Sequence, residues 1–521
     1  MKILEAHKIK LAAGYFNRFS GVLVWSYIIA LIAYGYMVTT IIFTNHTIPN
    51  AWVYSYPSHK TLSEGRWLAD LIILLGGGSG VQLVQSAIGI GIVVVNGMLF
   101  CILNKVHERI YVFLTIVFIS LYPAFFDYYS FTIDHITFAL GDTLALAGVL
   151  AMSRIQIRMK NLIISVVLFT LSIASYQPKI SQIAVLLIIW CLVQFLEISS
   201  KGQSTGQNHL NLIKSLSLIG VAAYTFILSV VVYYFIFKLT AASLDNGPRG
   251  NINDLGVMMM EILRAYPETW RNFMSRVEYL PPPLAFLPGI SIIFGIVLYI
   301  WALRKTLILA FIAGVLVLIM PIALQLTYVI NSQAWTGAGR ILSSHAFLFS
   351  FFLLQFQKKQ NFRYFGVALL ILFSYFFFIV TSQGANHAAM KSIYDIEKIN
   401  RVVYRIEQAV PDLYQYPRSL IVFGSLKSHN LDGLQWLKPD PYKAHTATDT
   451  FAPYRQVNIL NFFLGKDILK APTKNEIDKA LMSIKDRRPW PAIESVFLDG
   501  DAIVVLLEYP YNGQDVTWTR D

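Results

Sequence analysis

Residues 307–329 read LILAFIAGVLVLIMPIALQLTYV, twenty-three consecutive residues without a charge. A helix of about 20 apolar residues crosses the roughly 30 Å hydrocarbon core of a bilayer. This stretch therefore predicts a membrane span. Outward from it, apolar runs recur near 20–44, 81–103, 110–126, 137–153, 162–175, 179–197, 216–239, 287–303, 342–357 and 364–382, giving about eleven spans. The fifth and sixth flank SYQPK at 175–179 and read as a broken pair, because Pro178 cannot continue a helix. The first run is too long for a signal-peptide core and lacks a small-residue cleavage site, so it is expected to stay attached.

Composition agrees. Hydrophobic residues make up 55% of the 521 and charged residues 14%, against about 25% charged in soluble domains. A soluble enzyme, a disordered scaffold and a secreted disulfide framework are excluded. Cys101 and Cys191 each sit inside an apolar run, so neither reads as half of a disulfide or a metal cluster. Residues 383–521 hold 17 Lys and Arg against 17 Asp and Glu, so the net charge of +12 lies wholly in the hydrophobic part. Positive loops next to spans face cytoplasm and anionic lipid, which points to membrane lipids and away from nucleic acid. Most of those cations fall on one side if the N-terminus is cytoplasmic. An odd number of spans then sends the C-terminus outside.

Two outer loops are substantial, 45–80 and 240–286. The second half of the first predicts an amphipathic helix ending at Gly76-Gly77-Gly78, along the membrane surface. The second loop predicts a helix before Pro281-Pro282-Pro283. After residue 382 the texture changes. Ile396, Ile399, Val403, Ile406 and Val410 form one helical stripe, SLIVFG (419–424) reads as a buried strand, Thr473 as an N-cap, and SVFLDGDAIVVLLE (495–508) as a hairpin turning at Asp-Gly. The expectation is a mainly α polytopic transmembrane bundle over 1–382, with a small α/β domain over 383–521.

Ionisable groups beside spans are costly to bury and are functional candidates. Four clusters fall on the outer side. Lys60, Glu64, Arg66, Trp67 and Asp70 lie in the first loop, where Gly65 lets the chain bend. Asp127, Asp134 and His135 join the third and fourth spans, with Asp142 about two turns deeper and read as structural. Tyr176, Gln177 and Lys179 form the SYQPK break, and Arg340 stands at the mouth of the tenth span. Each cluster alone also fits a solvated loop or an interfacial anchor. Together they present carboxylates, cations and aromatics on one side. Those groups suit sugar transfer from a lipid phosphate: a base for the acceptor hydroxyl, cations for the departing phosphate, rings for sugar faces. Walker, zinc and nucleophile-elbow motifs are absent from the sequence.

IPNAWVYSYPSHKTLSEGRWLADLI (48–72), YYSFTIDHITFALGDTLAL (128–146) and SYQPKIS (175–181) resemble the Gtr family of serotype-converting glucosyltransferases, of the GT-C class of polytopic glycosyltransferases. The resemblance covers most of the membrane part. It implies a bacterial inner-membrane enzyme that takes glucose from undecaprenyl-phosphate-glucose, a polyprenyl-phosphate donor, and attaches it to O-antigen on the periplasmic side, with inversion. It also implies an essential acid in the first outer loop, which falls on Glu64 with Asp70 as a substitute. Residues 45–60 carry no acid, so the role is divided between Glu64 and Asp134, with Asp127 also a candidate. Arg66, Lys179 and Arg340 are the expected phosphate contacts, and no metal or cofactor is expected. The rival readings are an O-antigen polymerase or ligase, resting on Arg264, Arg271 and Arg276, and a lipid-linked sugar transporter, for which the spans carry too few central charges.

Overall fold

The computed structural model describes residues 14–40, 61, 65–75, 82–129, 131, 134–152, 159–201, 208–240, 252–274, 280–332, 339–424, 451, 456–510 and 516. In chain order the principal helices are α1 Ser20–Ala33, α2 Trp67–Leu75, α3 Gln82–Leu103, α4 Arg109–Leu121, α5 His135–Met152, α6 Met159–Ser175, α7 Lys179–Lys201, α8 Asn208–Thr240, α9 Leu255–Met274, α10 Leu287–Ala302, α11 Leu307–Leu324, α12 Ser344–Leu353 and α13 Gln360–Ala409. Strand β1 Arg418–Phe423, helix α14 Gln456–Leu464, strand β2 Leu469–Lys470, helix α15 Lys474–Ser483 and strands β3 Val496–Asp499 and β4 Ala502–Leu506 follow.

Among the described residues six helices are long and apolar enough to cross a membrane, and α4 with the turn after it makes a seventh, bent by 45°. Helices α1, α6 and α10 are apolar but shorter. The run expected as a span over 342–357 contains α12, ten residues long and buried at every one of them. Ten residues rise about 15 Å, half of the hydrocarbon core. Hydropathy reads a buried interior helix and a lipid-facing one alike, so the expected count of eleven is not reached by this measure.

Prolines set the breaks that matter. Tyr122 is extended, and Pro123 opens a short turn, Pro123–Phe125 then Phe126–Tyr129, in place of further α4. Pro178 separates α6 from α7, and the break is tied down: Pro178 O accepts from Thr327 Oγ1 at 3.3 Å, and Thr327 N donates to Ser181 Oγ at 2.9 Å. Helix α5 packs closely on α6 and α3. A Cβ at Gly148 would lie 2.4 Å from the Phe169 ring, so only glycine permits that approach.

Helix α13 is fifty residues long, about 75 Å, far more than a bilayer requires. The membrane core includes its residues up to Ala389, and from Ile399 it belongs to a second core. The boundary expected at 382/383 therefore falls inside one continuous helix. The second core surrounds a four-stranded sheet of order β2-β1-β4-β3, in which β1 is parallel to β2 and β4, and β3 is antiparallel to β4. Leu420, Val422, Ile503 and Val505 face the end of α13 and α14, while Ile421, Phe423, Val504 and Leu506 face α15. Burial on both faces explains the unbroken apolar run of β1. The expected hairpin turns at Gly500, φ +60°, and the expected Thr473 cap forms a capping box with Glu476.

Candidate active site

The site is built from helix ends that connectivity brings to one face: the start of α2, the turn after α4, the α6–α7 break and the segment before α12. Arg66 precedes α2. Gly65 before it has φ +68°, a conformation that favours glycine, and its carbonyl accepts from Tyr233 Oη of α8 at 3.3 Å. A Cβ there would lie 2.1 Å from Phe237. This fixes the direction of Arg66, whose Nε donates to Gln177 Oε1 at 2.8 Å and whose guanidinium lies 4.7 Å from the centre of the Tyr176 ring. Proline at 178 stops α6 and leaves Tyr176 and Gln177 in the break, free of helix geometry.

Arg340 reaches the same place from the other side. Its Nη1 donates to Asp127 Oδ2 at 2.9 Å and its backbone N to the same oxygen at 3.0 Å. Its guanidinium lies 4.5 Å from the centre of the Phe131 ring, with Tyr176 beside it. Two guanidinium groups thus converge on Tyr176, one held by an amide and one by a buried carboxylate. Such a pair of fixed cations can bind a phosphate bidentately.

Directly behind Asp127 and Gln177 lies a buried polar unit. Lys179 Nζ is paired with Asp142 Oδ1 and also donates to Tyr128 Oη, while Tyr128 Oη donates to Asp142 Oδ2 at 3.0 Å. Gln182 Oε1 lies 3.5 Å from Lys179 Nζ and accepts from Ser343 Oγ at 3.3 Å. Gly141 makes this possible: a Cβ there would lie 2.4 Å from Ser175 Oγ and 3.1 Å from Lys179 Cε. Lys179, expected to contact a phosphate, is paired here with Asp142, the acid whose depth suggests a structural role.

The other expected residues are distributed as follows. Asp70 is buried, and its Oδ2 accepts from the Thr61 backbone N at 2.5 Å and the Thr61 hydroxyl at 2.6 Å, so it shapes the approach to Arg66. Asp134 is buried at the N-cap of α5, its carbonyl accepting from Phe138 N at 3.0 Å. His135 is buried beside Gly89, its Nδ1 3.2 Å from Phe131 O. Trp67 is half-buried at the start of α2 and packs against the membrane core. Glu64 and Lys60 lie outside the described residues. Sequence reasoning missed Phe131, Tyr128, Gln182 and Ser343. The aromatic run FFDYYSF around Asp127 was the available signal for the first two. Nothing local announced Gln182 or Ser343.

Arg271 and Arg264, central to the polymerase or ligase reading, pair with Glu268 at 2.6 Å and Glu261 at 3.6 Å on their own helix, α9, and Arg276 lies outside the described residues. Among the described residues no group of three or more His, Cys, Asp or Glu is close enough to hold a metal ion. Helix α13 relates the site to the second core. Thr381 Oγ1 donates to Leu121 O at 3.2 Å, and Gly384 lies against the Phe126 ring. The helix then continues about 37 Å past that level, so the α/β unit stands on the side of the site.

Neither a curated protein nor a solved structure matches the chain. The family model described as Glucosyl transferase GtrII matches residues 36–354, more than half of the chain and every element of the arginine site, ending just after α12. The chain therefore belongs to the GtrII glucosyl transferase family and is a membrane glycosyltransferase.

Proposed function

We propose that this glycosyltransferase moves glucose from a polyprenyl-phosphate carrier to O-antigen or another surface glycan on the periplasmic side of the bacterial inner membrane. The N-terminus is then cytoplasmic, and the α/β unit periplasmic. The supporting observation is the convergence of Arg66 and Arg340 on Tyr176, from segments 274 residues apart in sequence. Cations gathered at one face of an apolar bundle are functional candidates, and a phosphate is the partner that two guanidinium groups suit.

In this reading the acceptor hydroxyl oxygen attacks the anomeric carbon and the bond from that carbon to the phosphate oxygen breaks. The phosphate leaves with the electron pair. Arg66 and Arg340 stabilise its growing charge, an effect that acts most strongly where water is excluded. The hydroxyl proton passes to Glu64 or Asp134. Asp127 serves Arg340 as an orienting partner, and Asp70 holds the loop that carries Glu64 and Arg66. Tyr176 and Trp67 offer rings to the sugar. One displacement inverts configuration, as the family class implies. No step is assigned to a metal or cofactor.

The test is expression beside a lipid-linked glucose synthase in an O-antigen-bearing cell, with mass analysis of the glycan. One added hexose per acceptor repeat is expected, lost in Glu64→Gln or Asp134→Asn. Full decoration by both variants removes them from the mechanism. A wild-type chain that never adds a hexose rejects the donor and acceptor proposed.

A further inference from the structure

Helix α9 wears its amphipathicity inside out. Glu261 (8% exposed), Ala265 and Glu268 (4% exposed) face the protein. Leu255 (77%), Met259, Leu263 (71%), Tyr266 and Trp270 (58%) form an outward stripe at spacings of four, four, three and four. A loop helix in water would place these groups the other way round.

The stripe is not a loose segment. At the start of α9, Asn253 N donates to Ile330 O at 2.8 Å, and Asn253 Nδ2 to Val329 O at 2.9 Å. At its end, Phe273 packs on His345 and Phe349, ring centres 5.2 and 6.0 Å apart. In between, Tyr266 Oη donates to Leu318 O of α11 at 3.1 Å. Leu318 is six residues, about 9 Å, from the end of that span. It belongs to the outward apolar face of α11, with Leu307 and Phe311. The stripe of α9 is thus continuous with the surface that a spanning helix turns to lipid.

We propose that α9 is a membrane-embedded interfacial helix, its Leu255–Trp270 stripe sunk among the acyl chains of the leaflet on the site side. Tyr266 and Trp270 suit the boundary where rings meet both headgroup and chain. Arg264 and Arg271, beside the stripe and about half exposed, extend to the headgroup phosphates. Helix α9 is then not part of a water-borne loop but part of the surface that the protein turns to the leaflet. This inference rests on the membrane character of the chain and not on the identity of donor or acceptor.

The test uses the full chain in vesicles of phosphatidylcholine and phosphatidylglycerol. A thiol-reactive nitrobenzoxadiazole probe is placed at Leu263→Cys or Met259→Cys, with the native Cys101 and Cys191 buried. Met482→Cys on α15, 70% exposed, is the water reference. At 263 and 259 emission is expected to shift to the blue of the reference, to be quenched by lipid carrying a shallow acyl nitroxide and to resist aqueous iodide. Quenching by iodide to the level of the reference, with none by nitroxide lipid, overturns the proposal. Resistance to both quenchers also overturns it, because a protein surface, such as a second copy of the chain, then covers the stripe.

Discussion

At the scale of single residues, the two arginines do different work. Arg66 is half-buried, with Gln177 and the Tyr176 ring against its guanidinium, and Arg66→Gln keeps a hydrogen-bonding side chain there, so the variant is expected to fold. Losing one fixed cation at a charge-developing oxygen costs about a hundredfold to a thousandfold in rate. Turnover of a lipid-linked donor, with thermal unfolding as control, checks this. Arg340→Ala leaves the Asp127 carboxylate buried without that partner. Breaking a buried pair from one side costs about 3–5 kcal/mol, so this variant should lose folded protein as well as activity. The Lys179–Asp142 pair allows a cleaner separation. Asp142→Asn alone should destabilise strongly, while Asp142→Asn with Lys179→Met removes both charges and should recover most of the melting temperature.

Helices and turns show what sequence could and could not reveal. Asp127, Arg66, the Tyr176–Gln177 break and Arg340 were all legible as polar interruptions of apolar runs, because burying such groups without purpose is costly. Their partners were not. Lys179 is as plausible a phosphate ligand as Arg340 from sequence, and only the meeting of α5 with α7 shows Asp142 in front of it. Part of the expected span count is open to the same effect: α12 has the composition of a membrane helix, and every residue in it is buried by protein. Gly141 is the joint on which the α5–α6–α7 contact depends. Gly141→Ala should force Ser175 and Lys179 aside at a cost of about 1–3 kcal/mol, read as a lower melting temperature with the charges intact. In the second core, the Thr473 cap can be read by pH. Partial burial opposes the Glu476 charge, but hydrogen bonds from the Thr473 backbone and hydroxyl outweigh it and lower the Glu476 pKa. A lowered carboxyl stabilises the fold above its unfolded pKa, and that stability is lost as pH falls through the folded value. Thr473→Ala should therefore cost about 1 kcal/mol near neutrality and less in acid, as followed by denaturation of the α/β unit.

For the molecule as a whole, α13 decides where it can be cut. A chain ending at Thr381 loses the contact of Gly384 with Phe126, directly beside Asp127. A chain ending after Ala389 retains every residue of the membrane core. The longer truncation should melt close to the full chain's membrane part and the shorter one well below it, in detergent solution. The change of texture near residue 382 was visible in the sequence, but charge balance marks where a chain enters water, not where its packing ends. Helix α13 carries no proline and runs unbroken from the membrane core into the sheet. A rod without a joint fixes how far the sheet stands from the membrane core. Any change in the spacing of the two cores must then come from tilting of the helix as a whole, not from a hinge within it.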